Sequence, residues 1–413
     1  MSGRPEPSRI DGSSGTVESG RCVGSTGIVG GDVIIAGTLD GVGDVVLDGD
    51  RISAVRPEGS SPPDTGRRFD ASGLLVAPGF IDAQINGGHG IDVTAEPHRI
   101  SELGVELTRY GVTAFVPTVI TCSPRRRAAA MAAHQTVDRS ANGGALAIGL
   151  HLEGPMLAPS RRGAHPERWL DLPSPALIGG WTRDAGVVMV TIAPELPGAI
   201  EVIEQLVGDG VVVSIGHTDA DAACVADAKR AGATAVTHLF NAMAPFGHRS
   251  PGPIGVTLAD DSLIGGLICD GIHVDPLAVR IAWRALGPPR LLLVTDATAV
   301  LGSGPGSRRL GEVDIDVSPA GVRTADGTLA GSDLALDQAV RNLVTFTGCT
   351  AAEAVAAVTA TPARLLGLAD RGALEAGRRA DVVLLDATLH VVATFVSGEL
   401  AHLVAGEAWR WKS

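Results

Sequence analysis

The chain has 413 residues, of which 45% are hydrophobic, 19% charged and only 3% aromatic, so aliphatic side chains must fill its core. Its 33 basic and 46 acidic residues give a net charge of −13, which argues against nucleic acids and anionic membranes as partners. A small anionic ligand would therefore need a local cluster of positive charge.

The N-terminal segment is rich in Ser, Gly and Pro and contains no apolar stretch of the signal-peptide kind. We predict a disordered tail over residues 1–27. No apolar run in the chain is long enough to span a bilayer. Five scattered cysteines lack zinc-ribbon or redox spacing, which predicts reduced thiols and a cytoplasmic location; they are Cys22, Cys122, Cys224, Cys269 and Cys349.

Both ends of the remaining chain carry short β-rich runs broken by Gly and Asp-Gly turns, in residues 32–55 and again in residues 380–409. Neither segment could bury a core alone. We therefore predict one small β-sandwich domain formed by both chain ends, from residues 28–77 and 376–413. Two unrelated hairpins are the alternative.

The middle of the chain, residues 78–375, alternates apolar strands with amphipathic helical stretches. Eight near-continuous apolar runs, typical of strands covered on both faces, are the candidate strands: Leu74–Asn86, Thr113–Ile120, Ala145–Gly154, Val187–Glu195, Val211–His217, Ala235–Met243, Leu263–His273 and Arg290–Thr298. Eight successive β-α units without a dinucleotide-binding glycine fingerprint favour an α/β fold of the (β/α)8 TIM-like barrel type over an open, doubly wound sheet.

Polar side chains recur where these runs end, and barrel enzymes keep their active sites at the carboxyl ends of the strands. Any one of these residues alone is more often a helix cap or a solvated group than a ligand. A barrel, however, brings all its strand ends into one mouth. Glu153, His217 and His238 could then meet, and two imidazoles with one carboxylate form a catalytic divalent-metal site with a position left for water. Asp296, at the end of the eighth run, could take a proton from that water and pass it to a leaving amine.

Five motifs in fixed order carry a specific resemblance: HLEGP, GHT, THLFNAM, DGIHV and VTDAT. With PGFIDAQING at residues 78–87 and AGSDLALDQAVRN at residues 330–342, the chain resembles the N-acetylglucosamine-6-phosphate deacetylase family of the amidohydrolase superfamily. The resemblance implies hydrolysis of N-acetyl-D-glucosamine 6-phosphate to D-glucosamine 6-phosphate and acetate, in amino-sugar catabolism and recycling. It covers nearly the whole chain outside the tail.

The resemblance also implies roles for single residues. Glu153, His217 and His238 match the metal ligands, and Asp296 matches the general acid/base. His165 matches the histidine that hydrogen-bonds the acetyl carbonyl and stabilises the oxyanion.

The substrate contacts follow from the same resemblance. Asn241 and Ala242 match contacts to the sugar phosphate, and His273 matches a phosphate contact. Arg249 matches a phosphate-binding arginine supplied by a neighbouring subunit, which implies a homodimer with shared active sites. On spacing alone, Arg249 would instead be a solvated loop residue.

The first strand carries Gln84 and Asn86, where many amidohydrolases have His-x-His holding a second metal. We therefore expect one divalent ion per chain, zinc first, with iron, cobalt or manganese as alternatives, and place Gln84 and Asn86 beside the ligands. Ser250 and Asp333 depart from the family pattern and leave the exact sugar open.

Two other functions are compatible with the sequence. One is an amidohydrolase acting on a different N-acyl hexosamine phosphate or on a cyclic amide. The other is a non-catalytic sugar-phosphate binder, which would have no need of the proton shuttle that Asp296 offers.

Overall fold

The computed structural model describes residues 24–35, 38–57, 65–136, 143–310 and 313–412. Most of the predicted tail over residues 1–27 lies outside these ranges, and the first strand begins at Thr26. The N-terminal strands are β1 (Thr26–Ile35), β2 (Thr38–Asp48), β3 (Arg51–Pro57), β4 (Arg67–Asp70) and β5 (Leu75–Pro78).

The middle of the chain contains the strands β6 (Phe80–Ile85), β7 (Gly87–Gly88), β8 (Ile91–Asp92), β9 (Val112–Ile120), β10 (Leu146–Ala147), β11 (Leu150–Glu153), β12 (Val187–Ile192), β13 (Val212–Ile215), β14 (Ala235–Val236), β15 (Ile264–Ile268) and β16 (Leu291–Val294). Its helices are α1 (Ile100–Leu107), α2 (Pro124–Thr136), α3 (Ala199–Gly208), α4 (Ala222–Arg230), α5 (Gly252–Ala259) and α6 (Pro276–Arg290).

The C-terminal part adds β17 (Gly306–Leu310), β18 (Val313–Ser318), β19 (Gly321–Thr324), α7 (Leu336–Thr347), α8 (Ala351–Ala356), α9 (Ala360–Leu365), β20 (Val382–Leu385), β21 (Val391–Val396), β22 (Glu399–Leu403) and β23 (Trp411–Lys412). Among the described residues, no helix combines the length and the apolar character that crossing a bilayer requires.

The predicted barrel is confirmed. Eight parallel strands follow one another in the order β6, β9, β11, β12, β13, β14, β15 and β16. The ring closes beyond β16, where the Asp296 N–H donates to the carbonyl of Gln84 at 2.9 Å and the Asn86 N–H donates to that of Ala297 at 2.7 Å. The first and eighth strands therefore meet where the candidate catalytic side chains lie.

Amphipathic helices cover the outside of the barrel. In α3 the buried side chains are Ala199, Val202, Ile203 and Leu206, which repeat at the spacing of one helical face. Helix α4 begins with Asp221 as its N-cap, whose carboxylate accepts a hydrogen bond from the Cys224 N–H at 2.8 Å. Such helices bury the outer faces of the strands, which is why the strands read as continuous apolar runs.

The first apolar run, Leu74–Asn86, was predicted as one strand and is instead two. Its first half, β5, pairs with β20 and β1 in the terminal sheet, whereas its second half, β6, belongs to the barrel. Gly79 separates them, and a Cβ there would come within 2.2 Å of the Thr113 side chain. The chain crosses between the two sheets at a position where only glycine fits.

The sixth run, Ala235–Met243, forms a strand over its first two residues only. His238, Phe240 and Ala242 have φ values of 29°, 81° and 50°, in the left-handed region that breaks a strand. The backbone is therefore irregular at the barrel mouth, where His238, Asn241 and Ala242 line the cavity.

The strands of the two chain ends form one nine-stranded sheet, as the sequence predicts for a small domain made from both termini. The first half of β1 pairs with β4 and its second half with β5, so the sheet divides into two arms. Phe69 on one arm packs edge-on against Phe395 on the other, with ring centroids 5.7 Å apart. The arms enclose a buried apolar core of their own. The exact domain boundaries stay a prediction.

A three-stranded antiparallel sheet, β17–β18–β19, follows the eighth barrel strand and was not predicted. Val300, Ile315, Val317, Val322 and Ala330 form a small core beneath it. The chain that leaves this sheet, from Thr328 to Gly331, lines the barrel mouth.

Candidate active site

The carboxyl ends of the barrel strands surround a cavity of about 300 Å³. Among the predicted site residues, nine line it: Asn86, Glu153, His165, His217, His238, Asn241, Ala242, His273 and Asp296. Gln84 lies directly behind this wall, 2% exposed and hydrogen-bonded to two of the lining carboxylates. The structure thus brings together residues that are up to 212 positions apart in the chain.

Glu153, His217 and His238 meet at the base of the cavity. Oε1 of Glu153 lies 3.3 Å from Nε2 of His217 and 3.1 Å from Nε2 of His238, and the two Nε2 atoms are 3.1 Å apart. All three side chains are buried, and their ligand atoms lie close enough together to bind one metal ion. Burial favours the neutral form of Glu153, but its close contacts with the two imidazoles outweigh it and hold the pKa of Glu153 well below its usual value.

The ring of His217 has a defined proton position. Its Nδ1 donates to the carbonyl oxygen of Arg161 at 2.8 Å, so its Nε2 carries a lone pair that faces Glu153 and His238. Two imidazole nitrogens 3.1 Å apart beside a carboxylate are stable when a cation is shared between them. The donor set of two imidazoles and one carboxylate therefore fits a divalent metal.

Three of the site residues sit on strained backbone. His217, His238 and Asp296 have φ values of 49°, 29° and 49°, a region that residues other than glycine seldom adopt. Each of them lies two residues past the end of a barrel strand, and all three line the cavity. Strain of this kind persists where the surrounding structure fixes it, and it concentrates at functional sites.

Asp296 is 8% exposed and is held by two amides of the first strand. Its Oδ1 accepts from Nδ2 of Asn86 at 2.7 Å and from Nε2 of Gln84 at 3.2 Å, and Gln84 Nε2 also lies 3.1 Å from Oε1 of Glu153. Burial, followed by the charge of Glu153, raises the pKa of Asp296 to about 6. A carboxyl group whose pKa lies close to neutral pH can both accept a proton and return it.

His165 lies beside the base of the cavity, 6% exposed, with its ring centroid 4.6 Å from that of His217. Its Nδ1 accepts from the backbone N–H of Thr121 at 3.3 Å, and its Nε2 lies 3.8 Å from Oε2 of Glu153. Burial and then the neighbouring His217 lower the pKa of His165 to about 3, so the ring is neutral. With Nδ1 as an acceptor, the ring proton is on Nε2, which faces the cavity as a donor.

The cavity lining also includes the residues predicted to contact the sugar phosphate. Asn241 and Ala242 lie in the irregular segment after β14. His273 is fixed by Asp270, whose Oδ2 lies 2.6 Å from the histidine Nδ1 and whose Oδ1 accepts from the His273 N–H at 2.8 Å. This pairing orients the ring, whose other nitrogen is left for a ligand.

Arg249 does not line the cavity of its own chain. It lies exposed at the tip of a tight turn, in which Gly247 and Ser250 exchange backbone hydrogen bonds of 3.1 and 3.0 Å. The structure therefore separates Arg249 from the other predicted site residues.

Some cavity-lining residues were not predicted. Ser160 and Arg161 come from the loop after β11, and Thr328 to Gly331 come from the end of the unpredicted three-stranded sheet. The alternating Val313, Asp314, Ile315, Asp316 and Val317 were a strand signal that could have revealed this sheet. The contact of the Arg161 carbonyl had no such signal, because every residue has a carbonyl.

Comparisons with known proteins agree with this arrangement. The Amidohydrolase family profile matches residues 75–405. A Bos taurus N-acetylglucosamine-6-phosphate deacetylase is 42% identical over 350 residues, which cover 80% of this chain and 84% of that protein. A Shewanella N-acetylgalactosamine-6-phosphate deacetylase is 37% identical and covers 80% of this chain and 84% of its own length. The structure of a Mycobacterium smegmatis N-acetyl-D-glucosamine-6-phosphate deacetylase variant in complex with N-acetyl-D-glucosamine-6-phosphate superimposes with a TM-score of 0.83 at 37% identity, over 92% of this chain and 99% of that one.

Proposed function

Because this chain belongs to the amidohydrolase family and, within it, to the N-acetylglucosamine-6-phosphate deacetylases, we propose that it hydrolyses N-acetyl-D-glucosamine 6-phosphate to D-glucosamine 6-phosphate and acetate. The proposal depends on one observation: three kinds of chemical group needed for amide hydrolysis line the same cavity. A metal-type donor set, a carboxyl with a raised pKa and a neutral imidazole donor all face the same space. A protein that only bound the sugar would need neither of the last two.

Glu153, His217 and His238 would hold one divalent ion, with zinc expected first and iron, cobalt or manganese as alternatives. When bound, such an ion polarises the amide carbonyl and lowers the pKa of water. Gln84 and Asn86 donate their amide protons to Glu153 and Asp296, and these bonds orient the two carboxylates. Because positions 84 and 86 carry amides and not imidazoles, they offer no pair of strong ligands for a second ion.

Different residues would carry out the proton transfers and stabilise the developing negative charge. Asp296 accepts a proton from the attacking water and delivers it to the departing amine nitrogen. His165 donates its Nε2 hydrogen to the acetyl oxygen as negative charge develops there. Gln84, by donating to both Glu153 and Asp296, fixes the base relative to the donor set.

The phosphate would lie beside Asn241, Ala242 and His273, which line the same cavity. For Arg249 we propose the neighbouring subunit's site, in a homodimer, because the residue projects from its own chain on a rigid turn. Arg249 would add local positive charge at the phosphate in a chain whose net charge is −13.

We also propose a cytoplasmic location. The four cysteines in the described part of the chain are free, three of them buried, as is usual in a reducing compartment. The charge of a phosphorylated sugar keeps it from crossing bilayers, so a protein that acts on such a sugar is expected inside the cell.

The test is acetate release by the zinc-loaded protein. We expect a kcat/KM for N-acetyl-D-glucosamine 6-phosphate at least about a hundredfold above that for the unphosphorylated sugar, because phosphate contacts position the amide. The 4-epimer, N-acetyl-D-galactosamine 6-phosphate, is the second candidate, since the Shewanella relative is named for it. A higher kcat/KM for the epimer would transfer the assignment to it, and absence of acetate from both sugars would overturn the proposed deacetylation.

A further inference from the structure

Asp219 lies two residues past the candidate metal ligand His217 and is not among the residues that line the cavity. Its Oδ1 accepts from Nε of Arg161 at 2.5 Å, and its Oδ2 accepts from the hydroxyl of Ser160. Ser160 and Arg161 belong to a short 3-10 turn, Pro159–Arg161, in the loop after β11. One carboxylate therefore holds two successive residues of this turn.

The same turn fixes the ring of His217 through its backbone. The carbonyl of Arg161 accepts the Nδ1 hydrogen of His217 at 2.8 Å, and the Ala158 N–H donates to the His217 carbonyl at 2.9 Å. The loop continues to His165, whose N–H donates to the Arg162 carbonyl at 3.0 Å. A shift of the turn would thus rotate a metal ligand and displace the proposed oxyanion donor.

Asp219 is itself held by Glu195, which lies three residues past the end of β12. Oε1 of Glu195 accepts from the Asp219 N–H at 2.6 Å, and its Oε2 accepts from the hydroxyl of Thr218. These hydrogen bonds form a continuous network. Glu195 binds Thr218 and Asp219, Asp219 binds the 3-10 turn, and the turn binds His217, the residue before Thr218.

We propose that Asp219 is a positioning residue for the metal: it fixes the Arg161 carbonyl that orients His217. An exposed ion pair by itself contributes little to stability. Asp219 differs because its two acceptor contacts and the hydrogen bond from His217 converge on the same turn. Hydrogen-bond partners of metal-ligating histidines typically change metal affinity by 10–100-fold when removed. Asp219 acts one step further away, so we expect an effect at the lower end of this range.

The experiment measures zinc affinity of the full-length protein by competition with a chromogenic chelator, without substrate. We expect the zinc dissociation constant of Asp219→Ala to rise about tenfold. Asp219→Asn keeps one acceptor oxygen but loses the charge that pairs with Arg161, so its rise should be smaller. Excess zinc should restore kcat for acetate release to within about twofold, because the residue positions the site and does not touch the reacting atoms.

Asp227→Ala is the matched control, since Asp227 forms an exposed ion pair with Arg230 on helix α4 and contacts no part of the site. Its zinc affinity should equal that of the unaltered protein. Unchanged zinc affinity in both Asp219 variants, or an equal loss in Asp227→Ala, would overturn the proposal. The proposal rests on the metal site of the proposed function but not on the sugar, so a wrong substrate assignment would leave the zinc measurement unaffected.

Discussion

Asn86 donates its side-chain amide to Oδ1 of Asp296 at a distance of 2.7 Å. Gln84 donates to the same oxygen, and no described residue donates to Oδ2. One oxygen of the carboxylate is therefore anchored to the first strand, and the other faces the cavity. The anchored oxygen sets the direction in which the free one can exchange a proton.

Replacing Asp296 by Asn should separate chemistry from metal binding. The amide has nearly the same shape but cannot accept a proton, so kcat for acetate release should fall by roughly a hundredfold or more. Metal content, measured by elemental analysis, should stay at the level of the unaltered protein because Asp296 is outside the donor set.

His238→Ala is the complementary variant. It removes one of the three donors and should lose the metal itself, so activity and metal content fall together. An Asp296→Asn enzyme with nearly full turnover would remove Asp296 from the mechanism.

Metal stoichiometry should be one divalent ion per chain. Gln84 and Asn86 occupy the positions where a second metal would need imidazoles, and both amides already donate to carboxylates. Dialysis against a chelator should abolish activity, and readdition of one equivalent of zinc should restore it. Two equivalents, both required for activity, would contradict the single-site arrangement.

Arg249→Ala should damage turnover of the phosphorylated sugar by roughly a hundredfold or more and leave an unphosphorylated analogue nearly unaffected. The reason is loss of a charge-assisted, bidentate contact to phosphate. Steady-state kinetics on the two sugars measure the difference, with kcat/KM as the readout. His248→Ala, next to it on the same exposed turn, serves as the control for damage to the loop.

Mixed subunits test whether the sites are shared. A dimer of one Arg249→Ala chain and one Asp296→Asn chain contains one site with both residues intact, so mixing the two inactive variants should recover activity. Subunits must first exchange, for example by mild denaturation and joint refolding. If exchange is proven and no activity returns, Arg249 does not serve a neighbouring site.

Asp82 predicts a pH dependence of stability. Its carboxylate is fully buried and accepts from the Thr295 hydroxyl at 2.6 Å. Burial raises its pKa from 3.8 to about 7. A raised pKa means that the folded state binds the proton more tightly, so the free energy of unfolding decreases as pH rises from about 4 to about 7.

Asp82→Asn should remove this decrease in the free energy of unfolding with rising pH. The Asn amide can donate to the Thr295 hydroxyl, which can turn to the Gln84 carbonyl 3.4 Å away. Urea unfolding at pH 4.5, 6 and 7.5 should show the variant gaining stability relative to the unaltered protein with rising pH. The gain should be of the order of a few kcal/mol and level off above pH 7. Parallel stability curves for the two proteins would show that Asp82 does not titrate in this range.

The sequence predicted well what depends on side-chain identity at strand ends. Glu153, His217, His238 and Asp296 each follow a recognisable apolar run, and closing the barrel brings them together without further information. The two terminal β segments were also recognisable, because neither could bury a core alone.

The sequence predicted poorly what depends on backbone path. The left-handed turns at Phe240 and Ala242 shorten the sixth strand, yet neither residue is glycine and neither signals a break. The Arg161 carbonyl contact depends on a turn held by the distant Asp219. Leu74–Asn86 is mainly apolar on both sides of Pro78-Gly79, so hydrophobicity alone could not show that its two halves belong to different sheets.

The backbone bond from Asp296 to Gln84 ties activity to the completion of folding. The three metal donors all precede Asp296 in the chain, so a partly folded chain could already gather them around an ion. The base reaches its place only when the last strand docks on the first. We therefore expect no hydrolysis from a chain whose eighth barrel strand has not yet paired with the first, so that turnover reports closure of the barrel.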